Sequence, residues 1–79
     1  MKNLKILSAK YLIDYKIFLT FNDGKSGEVN LENDLWGKIF LPLKDISNFI
    51  QFKISPVTNT IEWPNGADLA PEYLYSKCE

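Results

Sequence analysis

The clearest hydrophobic pattern in the chain is an alternation of apolar and other residues that runs from Tyr15 to Phe21. Apolar side chains at every second position are typical of a β-strand with one buried face. Asn-Asp-Gly at 22–24 follows, and these residues tolerate the positive φ angles of tight turns. The chain then returns to Leu31, so the pattern predicts a β-hairpin. Gly27 inside the returning arm indicates a β-bulge or a close backbone approach.

The N-terminal stretch Leu4–Ile13 carries apolar side chains at both odd and even positions, and we predict a strand there. This strand and the hairpin carry apolar side chains on both faces, which is more apolar surface than one short helix can cover. We therefore expect Phe18, Leu7 and Tyr11 to contribute to a face shared with a partner protein or with a second copy of the chain.

Residues 31–43 show no clear period. We predict a short helical turn around Leu35–Trp36 and then a loop, because Pro42 is excluded from a helix interior. In a domain of this size most large apolar side chains are needed for the core, so we expect Trp36 and Phe40 to be buried. The alternative is that this loop forms an exposed apolar interaction surface.

A short helix is predicted to follow Asp45, which is a good N-cap residue. Three apolar side chains then fall on one helical face: Ile46, Phe49 and Ile50. Beyond this helix, apolar residues alternate in two stretches separated by a turn. These stretches predict a second hairpin, Gln51–Ser55 against Thr60–Trp63.

The sharpest local pattern is the terminal motif, which we define as residues 63–75, WPNGADLAPEYLY. Pro64 cannot donate to a strand ladder, and Asn65-Gly66 can reverse the chain. Pro71 is suited to the first turn of a helix, with Ala70 at the N-cap position or with Asp68 capping it instead. A strand, a turn and a short helix explain the whole motif.

The alternative for the same motif is a pocket with aromatic walls and a few polar contacts, or a surface for a partner. The candidate partner or pocket residues come from this motif and from two positions of the predicted sheet. They are Trp63, Asn65, Asp68, Tyr73 and Tyr75 in the motif, and Phe18 and Tyr11 in the sheet.

These elements predict an α+β fold: a single small domain over residues 1–79. Its sheet is mostly antiparallel with about five strands, formed by two hairpins plus an N-terminal strand, and two short helices accompany it. The length of 79 residues leaves no room for a second core.

The charged residues exclude several function classes. All nine cations are lysine, histidine is absent, and the net charge is −1. We therefore expect no nucleic-acid binding by this chain alone, no histidine-based catalysis and no catalytic or metal site. The single cysteine, Cys78, and the lysines that interrupt the N-terminal stretch 1–16 favour a cytoplasmic protein without a signal peptide, and no membrane association is expected.

Three stretches of the chain resemble domain of unknown function (DUF) family 2442 across nearly its whole length. They are FNDGKSGEVNL at 21–31, FLPLKD at 40–45 with Phe49, and the terminal motif. The resemblance implies a small α+β domain with an antiparallel sheet. It also implies a family of mostly short bacterial proteins without assigned activity, of which some are antitoxin-like and some precede a DNA-binding domain. No glycine-rich phosphate loop or other cofactor motif is present, so we expect no cofactor.

The favoured hypothesis is a small non-enzymatic protein-interaction module, with an antitoxin-like role in a toxin–antitoxin pair as its most specific form. Its partner would be another protein, such as a cognate toxin, or a second copy in a homodimer. A small-ligand-binding or enzymatic domain is the alternative, with Glu62 and Asp68 as the best polar cluster, and a regulatory DNA-binding accessory module is a third.

Overall fold

The protein is described here by a computed structural model, which covers residues 3–79. Met1 and Lys2, the start of the stretch in which no signal peptide is predicted, lie outside the described residues. The described strands and α-helices are β1 (Ile6–Tyr11), β2 (Lys16–Phe21), β3 (Ser26–Asn30), α1 (Ile46–Phe49), β4 (Lys53–Ile54), β5 (Ile61–Glu62) and α2 (Pro71–Lys77). Two 3-10 helices, Glu32–Asp34 and Leu41–Lys44, lie between β3 and α1: the first ends just before the helical turn predicted at Leu35–Trp36, and the second replaces part of the predicted loop. The predicted α+β class, with five antiparallel strands and two short helices, is confirmed.

The strands divide into two sheets, of order β1-β2-β3 and β4-β5. The first hairpin is confirmed: β2 and β3 pair without irregularity from Lys16↔Asn30 to Thr20↔Ser26. Gly24 takes a φ of 95° in the connecting turn, as a tight hairpin turn requires. The second hairpin is also confirmed, although its ladder is only two residues long on each side.

The two faces of the three-stranded sheet differ sharply. Four fully buried side chains form its inner face: Ile17, Leu19, Phe21 and Val29. On the outer face, Phe18 stands between its direct neighbours Lys10 and Glu28, so this face is largely polar. Tyr11 pairs with Ile17 and therefore belongs to the inner face, and Leu7 is exposed at an irregularity of β1 between Ile6 and Ser8. The three residues expected to share a face do not lie on one surface.

Helix α1 begins as predicted, since the Asp45 Oδ1 accepts a 3.0 Å hydrogen bond from the Ser47 N–H. The predicted apolar stripe is only partly correct, because Phe49 is buried while Ile46 and Ile50 are exposed. The helix has four residues, little more than one turn, and this length brings a single large side chain onto the sheet.

The outer edge of β3 is closed by the end of the described chain. The backbone groups of Glu28 and Glu79 exchange two hydrogen bonds of 2.9 and 3.0 Å. A Cβ at Gly27 would overlap the Glu79 carbonyl oxygen and lie 2.8 Å from the Cys78 Sγ. The close backbone approach predicted for Gly27 is therefore confirmed. The alternative, a bulge at this residue, is wrong because the β2–β3 register is regular.

Helix α2 begins as predicted, with Pro71 as its first residue and Ala70 at the N-cap position. The capping role considered for Asp68 is wrong, because within residues 3–79 no side chain caps this helix. The Asp68 backbone instead forms an isolated bridge with Glu62, and its side chain is exposed.

A polar clasp ties α2 to the turn of the first hairpin. The Tyr75 hydroxyl donates a 2.6 Å hydrogen bond to the Asp23 Oδ2, and the Lys25 Nζ lies 4.1 Å from the Tyr75 ring centroid. The hydrogen bond from Tyr75, followed by the one from the Lys25 backbone N–H, lowers the pKa of Asp23 below its ordinary value of 3.8. The carboxylate form of Asp23 is therefore favoured by folding.

This clasp predicts a specific acid dependence. Because the pKa of Asp23 is lower in the folded state, its contribution to stability is present above pH 3.8 and is lost as the pH falls through the folded-state pKa. Tyr75→Phe should melt below the parent protein at neutral pH, and the gap should narrow as the pH falls below 3.8. Thermal melts across this range measure it. A gap that stays constant with pH would contradict the clasp.

Candidate functional site

The loop after β3 presents an exposed tryptophan. Trp36 is 74% exposed, whereas its neighbour Leu35 is 1% exposed and belongs to the core. Gly37 follows with a φ of 86°, and its carbonyl accepts a 2.8 Å hydrogen bond from the Leu41 N–H. The expectation that Trp36 is buried is therefore wrong. Leu35 takes the inward position, and the turn at Gly37 carries the chain away before the indole can reach the core.

Trp36 forms part of an open groove with a volume of about 510 Å³. Its lining residues are Asp34, Trp36, Gly37, Ile39, Phe40, Leu69 and Tyr73. We call this the Trp36 groove. Ile39 and Tyr73 are 45% and 41% exposed, so large apolar side chains are concentrated here at the surface. Exposed apolar clusters of this kind mark sites of interaction in otherwise ordinary surfaces.

The terminal motif supports the Trp36 groove from behind. The Asn65 Nδ2 donates a 2.8 Å hydrogen bond to the Ile39 carbonyl, while the Asn65 Oδ1 accepts one of 3.1 Å from the Ala67 N–H. This single side chain therefore joins the turn of the motif to the loop that carries Trp36. Beneath the loop, Phe40 packs edge-to-face on Trp63 at 6.4 Å between ring centroids. Phe40 is partly buried, which agrees in part with the expectation for this residue.

One edge of the Trp36 groove is polar. The Tyr73 hydroxyl donates a hydrogen bond to the Asp34 Oδ1, and this bond to a carboxylate raises the pKa of Tyr73. The Lys77 Nζ lies 3.4 Å from the buried Asp34 Oδ2, close enough for an ion pair. This contact does not have the geometry of a hydrogen bond, and within residues 3–79 the Asp34 Oδ2 accepts no hydrogen bond. The edge therefore places a carboxylate and an ammonium beside an aromatic ring.

The structure separates the seven candidate residues named from the sequence. Tyr73 lines the Trp36 groove, and Asn65 and Trp63 support it. Trp63 itself is 1% exposed, and its Nε1–H donates a 2.8 Å hydrogen bond to the Phe49 carbonyl, so it is a core residue.

The other four candidates lie away from the Trp36 groove lining. Tyr75 packs against Phe21 in the clasp, Phe18 lies on the outer sheet face, and Asp68 bridges to β5. Tyr11 is partly buried, with its ring 6.2 Å from that of Phe49. The groove residues that sequence reasoning missed are Asp34, Gly37, Ile39 and Leu69. The alternative of an exposed apolar loop pointed toward the first three, and Leu69 lies within the terminal motif.

The Trp36 groove is lined mainly by apolar side chains. Its ionisable lining residues are Asp34 and Tyr73, which are hydrogen-bonded to each other. Among residues 3–79, no group of three histidine, cysteine, aspartate or glutamate side chains is placed to hold a metal ion. Burial raises the pKa of the Cys78 thiol, which disfavours the reactive thiolate form.

Asn65 is expected to position the Trp36 loop. Asn65→Ala should lower the free energy of unfolding by about 1–2 kcal/mol, because two hydrogen bonds are lost, and should speed amide exchange in residues 37–41. Asn65→Asp is the matched variant: it keeps an acceptor for the Ala67 N–H but cannot donate to the Ile39 carbonyl. Hydrogen-exchange NMR should show a loosened loop in both variants. A loop in Asn65→Asp that exchanges as slowly as in the parent protein would contradict this role.

A family model described as a protein of unknown function (DUF2442) matches residues 6–79. No curated protein and no solved structure matches the chain significantly. The longest helix among residues 3–79 has seven residues, and no helix there is long and apolar enough to cross a membrane. Because the family match covers the hairpin, the Trp36 loop and the terminal motif, the chain belongs to the DUF2442 family.

Proposed function

We propose that this domain is a non-enzymatic protein-interaction module and that the Trp36 groove is its contact surface. The observation that carries the proposal is the 74% exposure of Trp36 in a loop that is pinned to the terminal motif. Tryptophan and tyrosine are the residues most enriched at the energetic centres of protein interfaces. Both occur in the lining of this one groove.

The support behind the loop favours binding over incidental exposure. Folding leaves the Trp36 side chain in water, although burial of a large apolar side chain contributes about 1.5–3 kcal/mol. The Asn65 hydrogen bond and the Phe40–Trp63 packing nevertheless fix the loop. A contact surface that is already ordered loses less conformational entropy when a partner binds.

The size of the Trp36 groove favours a short segment of a partner. A volume of about 510 Å³ accommodates a few side chains. A stable interface between globular proteins buries about 800 Å² on each side, and so extends well beyond a groove of this kind. On this proposal a cognate toxin is one partner of the required class, and the protein works in the reducing cytoplasm, where the buried Cys78 stays a thiol.

A random-peptide phage library panned against the wild-type domain tests the proposal. We expect recurrent sequences whose synthetic peptides bind at one surface with micromolar dissociation constants. Failure to enrich any sequence, or binders that compete with one another but do not perturb residues 36–40, would contradict it. Co-expression with the product of the neighbouring gene tests the more specific toxin–antitoxin form, which predicts that the two proteins co-purify.

A thermal-shift screen tests the small-ligand alternative. We expect nucleotides, pterins and divalent metal ions to leave the melting temperature unchanged. A saturable increase with any of these probes would favour ligand binding over the interaction module.

A further inference from the structure

We infer that the Trp36 groove selects a protein segment in which an apolar anchor side chain lies next to arginine or lysine. This inference rests on the proposed function and adds the chemistry of the partner. Its starting point is the groove lining, in which the only side chain that is charged at neutral pH is the Asp34 carboxylate. The remaining lining is apolar apart from the Tyr73 hydroxyl, and Lys77 pairs with Asp34, so the charge that an occupant meets is set mainly by the segments around the groove.

The segments that build the Trp36 groove are acidic as a whole. Residues 32–40 and 67–77 together carry four carboxylates and two lysines, a formal charge of −2, whereas the whole chain carries −1. Lys77 is paired with Asp34. Glu32, Asp68 and Glu72 form no ion pair within the described part of the chain. The groove is thus set in a surface that attracts cationic segments and repels anionic ones.

Lys77 shows how a cation fits at this edge. Its ammonium lies 3.4 Å from the Asp34 Oδ2 and 5.8 Å from the centroid of the Tyr73 ring. A lysine or arginine of a partner can place its aliphatic stem on the Trp36 indole and its charged group near the Tyr73 ring, while Lys77 keeps its pairing with the buried Asp34 Oδ2. Arginine suits this arrangement best because its planar guanidinium stacks on aromatic faces.

A second copy of the chain fits the Trp36 groove poorly. A two-fold contact through the groove would bring two acidic surfaces together, because the same patch faces itself in an isologous dimer. A basic and apolar segment of another protein has no such repulsion. Charge complementarity therefore favours the heterologous partner over the homodimer.

Two synthetic peptides of the same length test the inference. One has the sequence acetyl-Gly-Arg-Leu-Leu-Arg-Gly-amide, and the other has glutamate in place of both arginines. Titrated into the wild-type domain and followed by NMR, the arginine peptide should bind about 5-fold more tightly at low ionic strength. The ratio should fall toward 1 in about 1 M salt, where charges are screened within about 3 Å.

Two variants that each remove one negative charge show which part of the domain produces the preference for the arginine peptide. Asp34→Asn should reduce the arginine-to-glutamate affinity ratio at least 2-fold, because it removes one negative charge from the groove lining. Asp14→Asn is the control: it removes one carboxylate from an exposed turn with a φ of 53°, a conformation that asparagine tolerates. It should leave the ratio unchanged. If Asp34→Asn does not fold, the salt dependence of the wild-type ratio still decides the question.

Failure of this inference and failure of the proposed function give different results. Equal binding of both peptides at the Trp36 groove, or tighter binding of the glutamate peptide, overturns the inference and leaves the interaction module standing. No binding of either peptide, together with an unproductive phage selection, overturns both. A concentration-dependent dimer that perturbs Trp36 in light scattering and NMR identifies a second copy as the occupant and overturns the inference.

Discussion

Trp63→Ala is expected to lower the free energy of unfolding by about 3–5 kcal/mol. The indole is 1% exposed and packs between the rings of Phe40, Phe49 and Phe52, with centroid distances from 5.8 to 6.4 Å. The substitution also removes the Nε1–H group, which leaves the Phe49 carbonyl without this hydrogen-bond donor. A domain of this length has a total stability of about 4–12 kcal/mol, so the variant should lose a large fraction of it.

Urea denaturation followed by circular dichroism measures this loss. Trp63→Phe is the matched variant, because it keeps an aromatic ring in the core but lacks the N–H group. It should be destabilised by less than the alanine variant. A Trp63→Ala protein that unfolds at the same urea concentration as the parent would show that this side chain does not hold the core together.

Trp36→Ala is expected to leave the free energy of unfolding almost unchanged and to weaken peptide binding. Because the indole is mostly in water, the free energy of unfolding should change by no more than about 0.5 kcal/mol. Peptides selected on the wild-type domain should lose at least about 2 kcal/mol of binding free energy, equivalent to about a 30-fold weaker affinity. Isothermal titration calorimetry on the folded variant measures the loss.

Two exposed apolar residues outside the Trp36 groove provide controls for Trp36→Ala. Val57 is 86% exposed, and Phe18 lies on the outer face of the three-stranded sheet. Alanine at either position should leave peptide affinity unchanged. If Phe18→Ala weakened binding as much as Trp36→Ala, the contact surface would include the sheet, and the Trp36 groove alone would not explain recognition.

Much of the fold could be predicted because its determinants are local. The first hairpin follows from a period-two pattern next to Asn-Asp-Gly, and α2 follows from Pro71, whose fixed φ suits the first turn of a helix. The close approach at Gly27 was also predicted from the residue type, although the identity of the approaching segment was not. Cys78 and Glu79 lie about fifty residues further along the chain, and nothing local to Gly27 indicates them.

The Trp36 groove could not be predicted because its determinants are not local. Leu35 and Trp36 are adjacent apolar residues in a stretch without a period, so composition alone favours burying both, although only Leu35 faces inward. The hydrogen bond from Asn65 to Ile39 joins residues 26 positions apart. The residue types of the motif predict a strand, a turn and a helix; the turn and α2 are present, and β5 ends at Glu62, one residue before the motif. Its second role, support of a loop elsewhere in the chain, appears only in three dimensions.

The two tryptophan indoles offer the most direct test of the central claim, that the terminal motif supports a binding surface centred on Trp36. In a ¹H–¹⁵N NMR titration of the wild-type domain with a selected peptide, the Trp36 indole N–H and the amides of residues 37–40 should show the largest shifts. The Trp63 indole N–H, buried against the Phe49 carbonyl, should stay unperturbed. Shifts centred on Pro64–Gly66 or on Phe18, with the Trp36 signal unchanged, would contradict the account.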